Sequence, residues 1–228
     1  MVVRHLAVCA VIALFGGSMV LAAAESVKLT DAAEAKSVIH VAPKVMEKPE
    51  NVRGPDWKRM DPDSFRRRLR ASVLDLAHYL GEISGAEIEV VEGPPAEGDD
   101  RLPILIGTLA AERFGAPKKH MRLGQGFRVV VSKDAIGLIG ESRLGTSYAI
   151  YEILHELGCR WYMPSDRGEV IPHKETIKLK VRDYSKVPRT LYRGLWYCSG
   201  DYGRRNRLGG LYLSAGHALE SRYLSKQE

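Results

Sequence analysis

The chain has 228 residues, 45% of them hydrophobic and 27% charged, and carries a formal net charge of +6. These values fall in the range of an ordinary globular protein, long enough for one domain with a real core. The positive charge is scattered, as in Arg66-Arg67-Arg68 and Lys118-Lys119, without interleaved aromatic residues, which argues against a nucleic-acid partner.

Residues 1–24 open with Arg4 and His5, run apolar from Leu6 to Leu21 with a break at Gly16 and Gly17, and end in Ala22-Ala23-Ala24. A basic start, a short apolar middle and a small-residue end make a secretory signal peptide, with cleavage expected before Glu25. The run falls short of the ~20 residues that a spanning helix needs, so the mature protein is expected to be secreted or periplasmic and free of the membrane. Cleavage removes Arg4 and Cys9 and leaves Cys159 and Cys198 in an oxidising compartment. Cys159 falls in a core strand and nothing in the sequence places Cys198 near it, so their pairing stays open.

Ser37 to Ala42 has the β-branched content of a first strand, followed by a polar, proline-containing connection to Asp61. Asp61-Pro62 then opens a helix, aspartate as cap and proline in the first turn, where its missing N–H costs nothing. Phe65, Leu69, Val73, Leu76, Leu80 and Ile83 give that helix an apolar stripe, ended by Gly85. Arg66, Arg67, Arg68 and Arg70 are expected on its other face, and His78 beside the stripe as a partly buried structural histidine. Glu87 to Val91 alternates like a strand with one wet face, Leu102 to Gly107 like a strand covered on both, and Thr108 to Phe114 makes a short helix before Gly115. Phe127 to Ser132 and Ala135 to Gly140 are two strands joined tightly at Lys133-Asp134. The expected fold class is therefore α/β, with a mixed β-sheet of about five to seven strands packed by two main helices.

The next stretch, from Leu138 to Pro172, is a strand-helix-strand unit. Tyr148, Tyr151, Leu154 and Leu157 recur at helical spacing, Gly158 stops the helix, and Cys159-Arg160-Trp161-Tyr162-Met163 returns into the core as a strand before Pro164. Thr176 to Asp183 alternates Ile177, Leu179 and Val181 with charged residues, a final strand with an exposed face. Ser185 to Arg189 is a polar linker. Leu191 to Tyr197 is a short aromatic strand, and Ser199 to Gly210 is a basic loop rich in glycine.

The Gly-Thr-x-Tyr-Ala-x-Tyr-Glu-x-Leu run from Gly145 to Leu154, with Gly158-Cys159-Arg160-Trp161-Tyr162 and Gly168-Glu169-Val170-Ile171-Pro172, resembles the N-terminal module of a bacterial family of secreted glycoside-hydrolase-like proteins. That module is similar to the domain preceding the catalytic barrel in alpha-glucuronidases and family-20 beta-hexosaminidases. The resemblance covers roughly Ser64 to His217. It implies a module over residues 25–184, with residues 185–228 as a linker and the stub of an incomplete (β/α)8 barrel. It also implies carbohydrate or polysaccharide as the substrate class. A barrel alone takes about 250 residues, so the chain is expected to be a non-catalytic module; the alternatives are a fragment of an active glycoside hydrolase whose barrel is encoded downstream and associates with it, and a glycan-binding or interaction module. An unpaired Leu191 to Tyr197 strand would be a sticky edge, making the chain less soluble than a version ending near Val187.

Within residues 193–217, Arg193, Trp196, Arg204, Asn206, Arg207 and His217 form a mixture suited to sugar hydroxyls and carboxylates, and they are the expected substrate-binding residues. No catalytic pair is expected, since Asp201 and Glu220 are the only carboxylates after Asp183 apart from the terminal Glu228, and nothing holds them at a glycosidase separation. Gly140 to Ser147 has the glycine spacing of a phosphate loop but carries Thr146 where the lysine must be, so no nucleotide cofactor is expected; the glycines are expected to supply unusual dihedrals to the turn. Cys159, His155 and Glu156 lack the spacing for a metal or a thiol nucleophile, and no metal is expected.

Overall fold

The computed structural model describes residues 25–48, 62–195 and 200–210. The leader, Asp61, Trp196, Cys198 and His217 lie outside the described residues. The described chain opens with β1 (Ser26–Lys28), a small hairpin of β2 (Thr30–Asp31) and β3 (Glu34–Ala35), and the fully buried strand β4 (Ser37–Val41). The long helix α1 (Pro62–Ser84) follows, closed by Gly85, whose φ of 77° suits glycine. Then come β5 (Val90–Glu92), β6 (Leu102–Ile106), α2 (Thr108–Phe114), and the hairpin of β7 (Phe127–Val131) and β8 (Ile136–Gly140). Helix α3 (Arg143–Leu157) leads through Gly158 into β9 (Arg160–Trp161), a 3₁₀ turn over Asp166–Gly168, and β10 (Glu169–Val170). The described chain ends with β11 (Lys178–Lys180), β12 (Arg182–Lys186), β13 (Tyr192–Arg193), α4 (Asp201–Arg205) and β14 (Gly209–Gly210).

Six strands form one mixed sheet in the order β12-β7-β8-β6-β4-β5, parallel from β8 through β6 and β4 to β5 and antiparallel at β7 and β12. Alternation along the strands divides the core. Ile39, Ile104, Ile106, Val129, Val131, Ile136 and Leu138 face α1 and α3, whereas Leu105, Val130 and Ile139 face the short helix α2 through Ala110 and Phe114. The α/β expectation, a mixed sheet packed by two main helices, agrees with this architecture.

Several local expectations change. Arg68 was assigned to the outer face of α1, yet it is buried between the helices and donates to the Leu208 carbonyl at 2.7 Å; His78, by contrast, is exposed. Helix α3 is buried almost all round rather than on one stripe, because it lies under α1 on one side and against the sheet on the other. The single strand expected over Thr176 to Asp183 is two: β11 pairs with β1, and β12 forms the sheet edge on β7, running into the expected linker as far as Lys186. Of the strand expected over Leu191 to Tyr197, the described part forms β13, which pairs with β14.

The turn from β8 into α3 is tight for a reason other than the expected one. Neither Gly140 nor Gly145 has a positive φ. Close approach decides instead: a Cβ on Gly140 would lie 1.9 Å from the Thr146 nitrogen, and one on Gly145 would lie 2.3 Å from the Gly126 carbonyl oxygen. Ser142 caps the helix by accepting from the backbone N–H of Leu144 and Gly145, while its hydroxyl donates to the Gly124 carbonyl at 2.7 Å.

Where α2 is too short to cover the sheet, Arg128 and Asp183 do so, the Arg128 Nε and Nη2 each reaching an Asp183 oxygen at 2.8 Å. This bidentate contact, despite some burial, holds the Asp183 carboxyl at about 2 against an ordinary 3.8.

Two outcomes follow from this packing. Gly140→Ala should lower the free energy of unfolding by about 3 kcal/mol or more, because backbone on both sides of the turn must move, and urea denaturation would measure it. The folded Asp183 binds its proton less readily than the unfolded one, so its pairing supports the fold fully above 3.8 and is lost as pH falls through about 2. The stability gap between wild type and Asp183→Asn should therefore narrow over that window, as read from urea midpoints at successive pH values.

Candidate functional site

One side of α1 carries a second stripe beside its apolar one. Ser64, Arg68, Ser72, Asp75 and Tyr79 recur at four- and three-residue spacing and are all buried, facing α3 and the C-terminal segment. Ser72 meets Ser147 of α3 at 2.7 Å, hydroxyl to hydroxyl, which lets the two helices approach closely.

Asp75 is the centre of this stripe. Its Oδ2 accepts from the Tyr151 hydroxyl at 2.7 Å, from Arg204 Nη2 at 3.1 Å and from Arg205 Nε at 3.1 Å, while Arg204 Nε donates to the Tyr151 oxygen at 2.8 Å. Asp201 takes the remaining end of the Arg204 fork at 2.7 Å. Burial works against the Arg204 charge, but its contacts with Tyr151 and Asp75 prevail and hold the group above the usual arginine range. Burial pushes the Tyr151 phenol well above its ordinary value, so it serves as a neutral donor.

From there the network runs outward. Arg205 also reaches Glu169, whose other oxygen accepts from the Tyr79 hydroxyl at 3.1 Å; the Trp161 indole N–H donates to Tyr79 at 2.9 Å. Trp161 stands edge-on to both tyrosines, with ring centres 5.1 Å from Tyr79 and 5.8 Å from Tyr151. Next to Trp161, Cys159 is fully buried, and desolvation pushes its thiol up to about 11.

Four of the residues expected to bind substrate come together here, through contacts within the chain. Arg193 donates to Gln125 at 2.6 Å and to the Tyr148 hydroxyl at 2.8 Å, and its Nε reaches the Arg207 carbonyl at 3.1 Å. The Tyr148 ring is approached by two guanidinium groups, Arg193 at 5.1 Å and Arg68 at 5.6 Å from its centre. Arg204 belongs to the Asp75 network, Asn206 donates to the carbonyls of Trp161 and Tyr202 at 3.0 Å, and Arg207 pairs with Glu152 of α3. Trp196 and His217 fall outside the described residues.

Beside α4 the surface opens into a cleft of about 240 Å3, bordered by Trp161, Asp166, Glu169, Asp201, Tyr202 and Arg205. Aromatic edge, carboxylates and guanidinium are the groups that recognise hydroxyl-rich ligands. Sequence reasoning assigned no site role to Asp75, Tyr79, Tyr151 or Glu169. The signal available was Ser72, Asp75 and Tyr79 sharing one helical stripe, polar groups where solvent-facing residues were not required.

No family model matches the sequence, and no curated protein does. Solved structures to which the chain is similar are glycoside hydrolases. They include the family GH20 exo-beta-N-acetylglucosaminidase of Vibrio harveyi, at 12% identity and a TM-score of 0.39 over 75% of this chain and 18% of that one. CpGH84D aligns at 13% identity and 0.43 over 72% and 23%. BtGH115A, a family GH115 4-O-methyl-alpha-glucuronidase with specificity for decorated arabinogalactans, aligns at 21% and 0.44 over 69% and 18%. The chain thus spans about a fifth of the length of these enzymes.

Asp75→Asn removes the charge that the buried Arg204 and the partly buried Arg205 share. Its expected cost is about 3–5 kcal/mol, concentrated in the docking of α4, and cleavage by trypsin within residues 188–210 should accelerate at least about a hundredfold. Glu156→Gln, at a more exposed pair, should change the same rate little.

Proposed function

We propose that residues 25–184 are the non-catalytic N-terminal module of a secreted or periplasmic glycoside-hydrolase-like protein that processes carbohydrate. Its contribution is to seat and orient the segment leading toward a barrel that follows or associates with it. The observation that carries this reading is the Asp75 centre, where α1 and α3 hold both arginines of α4 through one buried carboxylate and one phenol. A solvent-exposed linker would need no such anchor. The carbohydrate class rests on the resemblance through the Gly158-Cys159-Arg160-Trp161-Tyr162 block.

The carboxylates in hand favour a structural role over a catalytic one. Glycoside hydrolysis ordinarily uses a protonated carboxyl and an opposed carboxylate, both free to engage the sugar. Glu169 already accepts from Tyr79 and Arg205, and Asp201 pairs with Arg204. The cleft beside α4 favours a second reading, in which the module also holds glycan, with Tyr202 and Trp161 as the apolar border and Asp166 and Arg205 as polar contacts.

The mature protein, assayed with a panel of aryl glycosides, should release no aglycone above the uncatalysed rate; enzyme-like turnover would defeat the proposal. On a glycan array, binding that disappears in Tyr202→Ala while the circular dichroism spectrum is unchanged would establish the second reading, and an array without signal would leave seating as the whole role.

A further inference from the structure

A larger concavity lies away from α4, between the C-terminal half of α3 and the edge strand β12. It measures about 420 Å3 and is lined by Arg160, Arg182, Lys186, His155 and Tyr184, together with two glutamates of α3. The Tyr184 ring supports the cations on one side, with Lys186 Nζ at 4.9 Å and the Arg182 guanidinium at 5.4 Å from its centre.

The glutamates are both occupied. Glu156 grips Arg182 with both oxygens, and Glu152 is shared by Lys186 and Arg207. Arg160 is different. Among the described residues it has no carboxylate partner; its Nη1 donates to the His155 and Cys159 carbonyls at the end of α3, which anchors the guanidinium at the pocket wall. Three cations thus meet two carboxylates around one hollow, and Arg207 reaches one of those carboxylates from outside it. The titrating groups register the same excess: burial and the neighbouring Arg160 and Arg207 hold His155 below the usual imidazole range, and Lys186 and Arg207 pull Glu152 below the usual carboxylate range against its burial.

We propose that this pocket is a binding site for a sulfate group, received by Arg160 and Lys186 beside the Tyr184 ring. Planar guanidinium and ammonium donors suit the oxygens of such a group. The shared chemistry admits a free inorganic anion or one carried on a sugar, and the second source rests on the carbohydrate reading given above.

Isothermal titration of the mature protein with inorganic sulfate, glucose 6-sulfate and glucose tests the site. Saturable binding of sulfate alone supports the pocket and identifies a free anion as its source. Tighter binding of glucose 6-sulfate supports the pocket and a saccharide carrier. Arg160→Gln should weaken the anion about tenfold, and Glu156→Gln, which frees the Arg182 fork, should tighten it several-fold. The opposite signs separate a site from general destabilisation. Absence of saturable binding by either anion, equal binding of glucose, or both variants shifting affinity the same way would overturn the proposal.

Discussion

A single carboxylate, Asp75, stands between two guanidinium groups and a phenol in a setting that water barely reaches. Removing four polar groups, three of them charged, from water is unfavourable unless each donor finds an acceptor in the right place, so this contact fixes where α4 lies relative to α1 and α3. Everything near it inherits that constraint. Tyr79 and Glu169 must align to receive Arg205, Trp161 must turn its N–H toward Tyr79, and the β9–β10 pair that carries Trp161 and Glu169 is thereby set against the helices.

The sheet supplies the rigid base for this arrangement. Its two faces are distinguished by strict alternation, one covered by the long helices and the other by α2 and by the Arg128–Asp183 pair. The β8–α3 turn is positioned by backbone in near contact, glycine against glycine, which places α3 at a fixed height above the strands. With α3 so placed, Ser147 can meet Ser72, and Tyr148 and Tyr151 present their hydroxyls to the arginines that arrive from the end of the described chain.

Local pattern and tertiary choice divide what the sequence disclosed. The stripe of α1, its end at Gly85, the span of α2 and the stop at Gly158 were legible because each depends on neighbours within one or two turns. The partners of Arg204 were not, because Asp75 lies 129 residues away and a guanidinium carries no mark of which carboxylate it will meet. Arg68 misled for a related reason: an arginine on a helix is ordinarily solvated, and here the returning Leu208 carbonyl and the Tyr148 ring help to make its burial tolerable. The arginine-rich segment was recognisable as a polar cluster, but whether its donors face a ligand or the protein itself is settled by folding.

The sealed thiol of Cys159 bears on how the folded chain meets an oxidant. Almost none of it is thiolate near neutrality and no solvent touches it, so disulfide exchange has neither a nucleophile nor a path of approach. Once the chain is folded, the core around Trp161 therefore keeps this thiol from exchange with partners in solution.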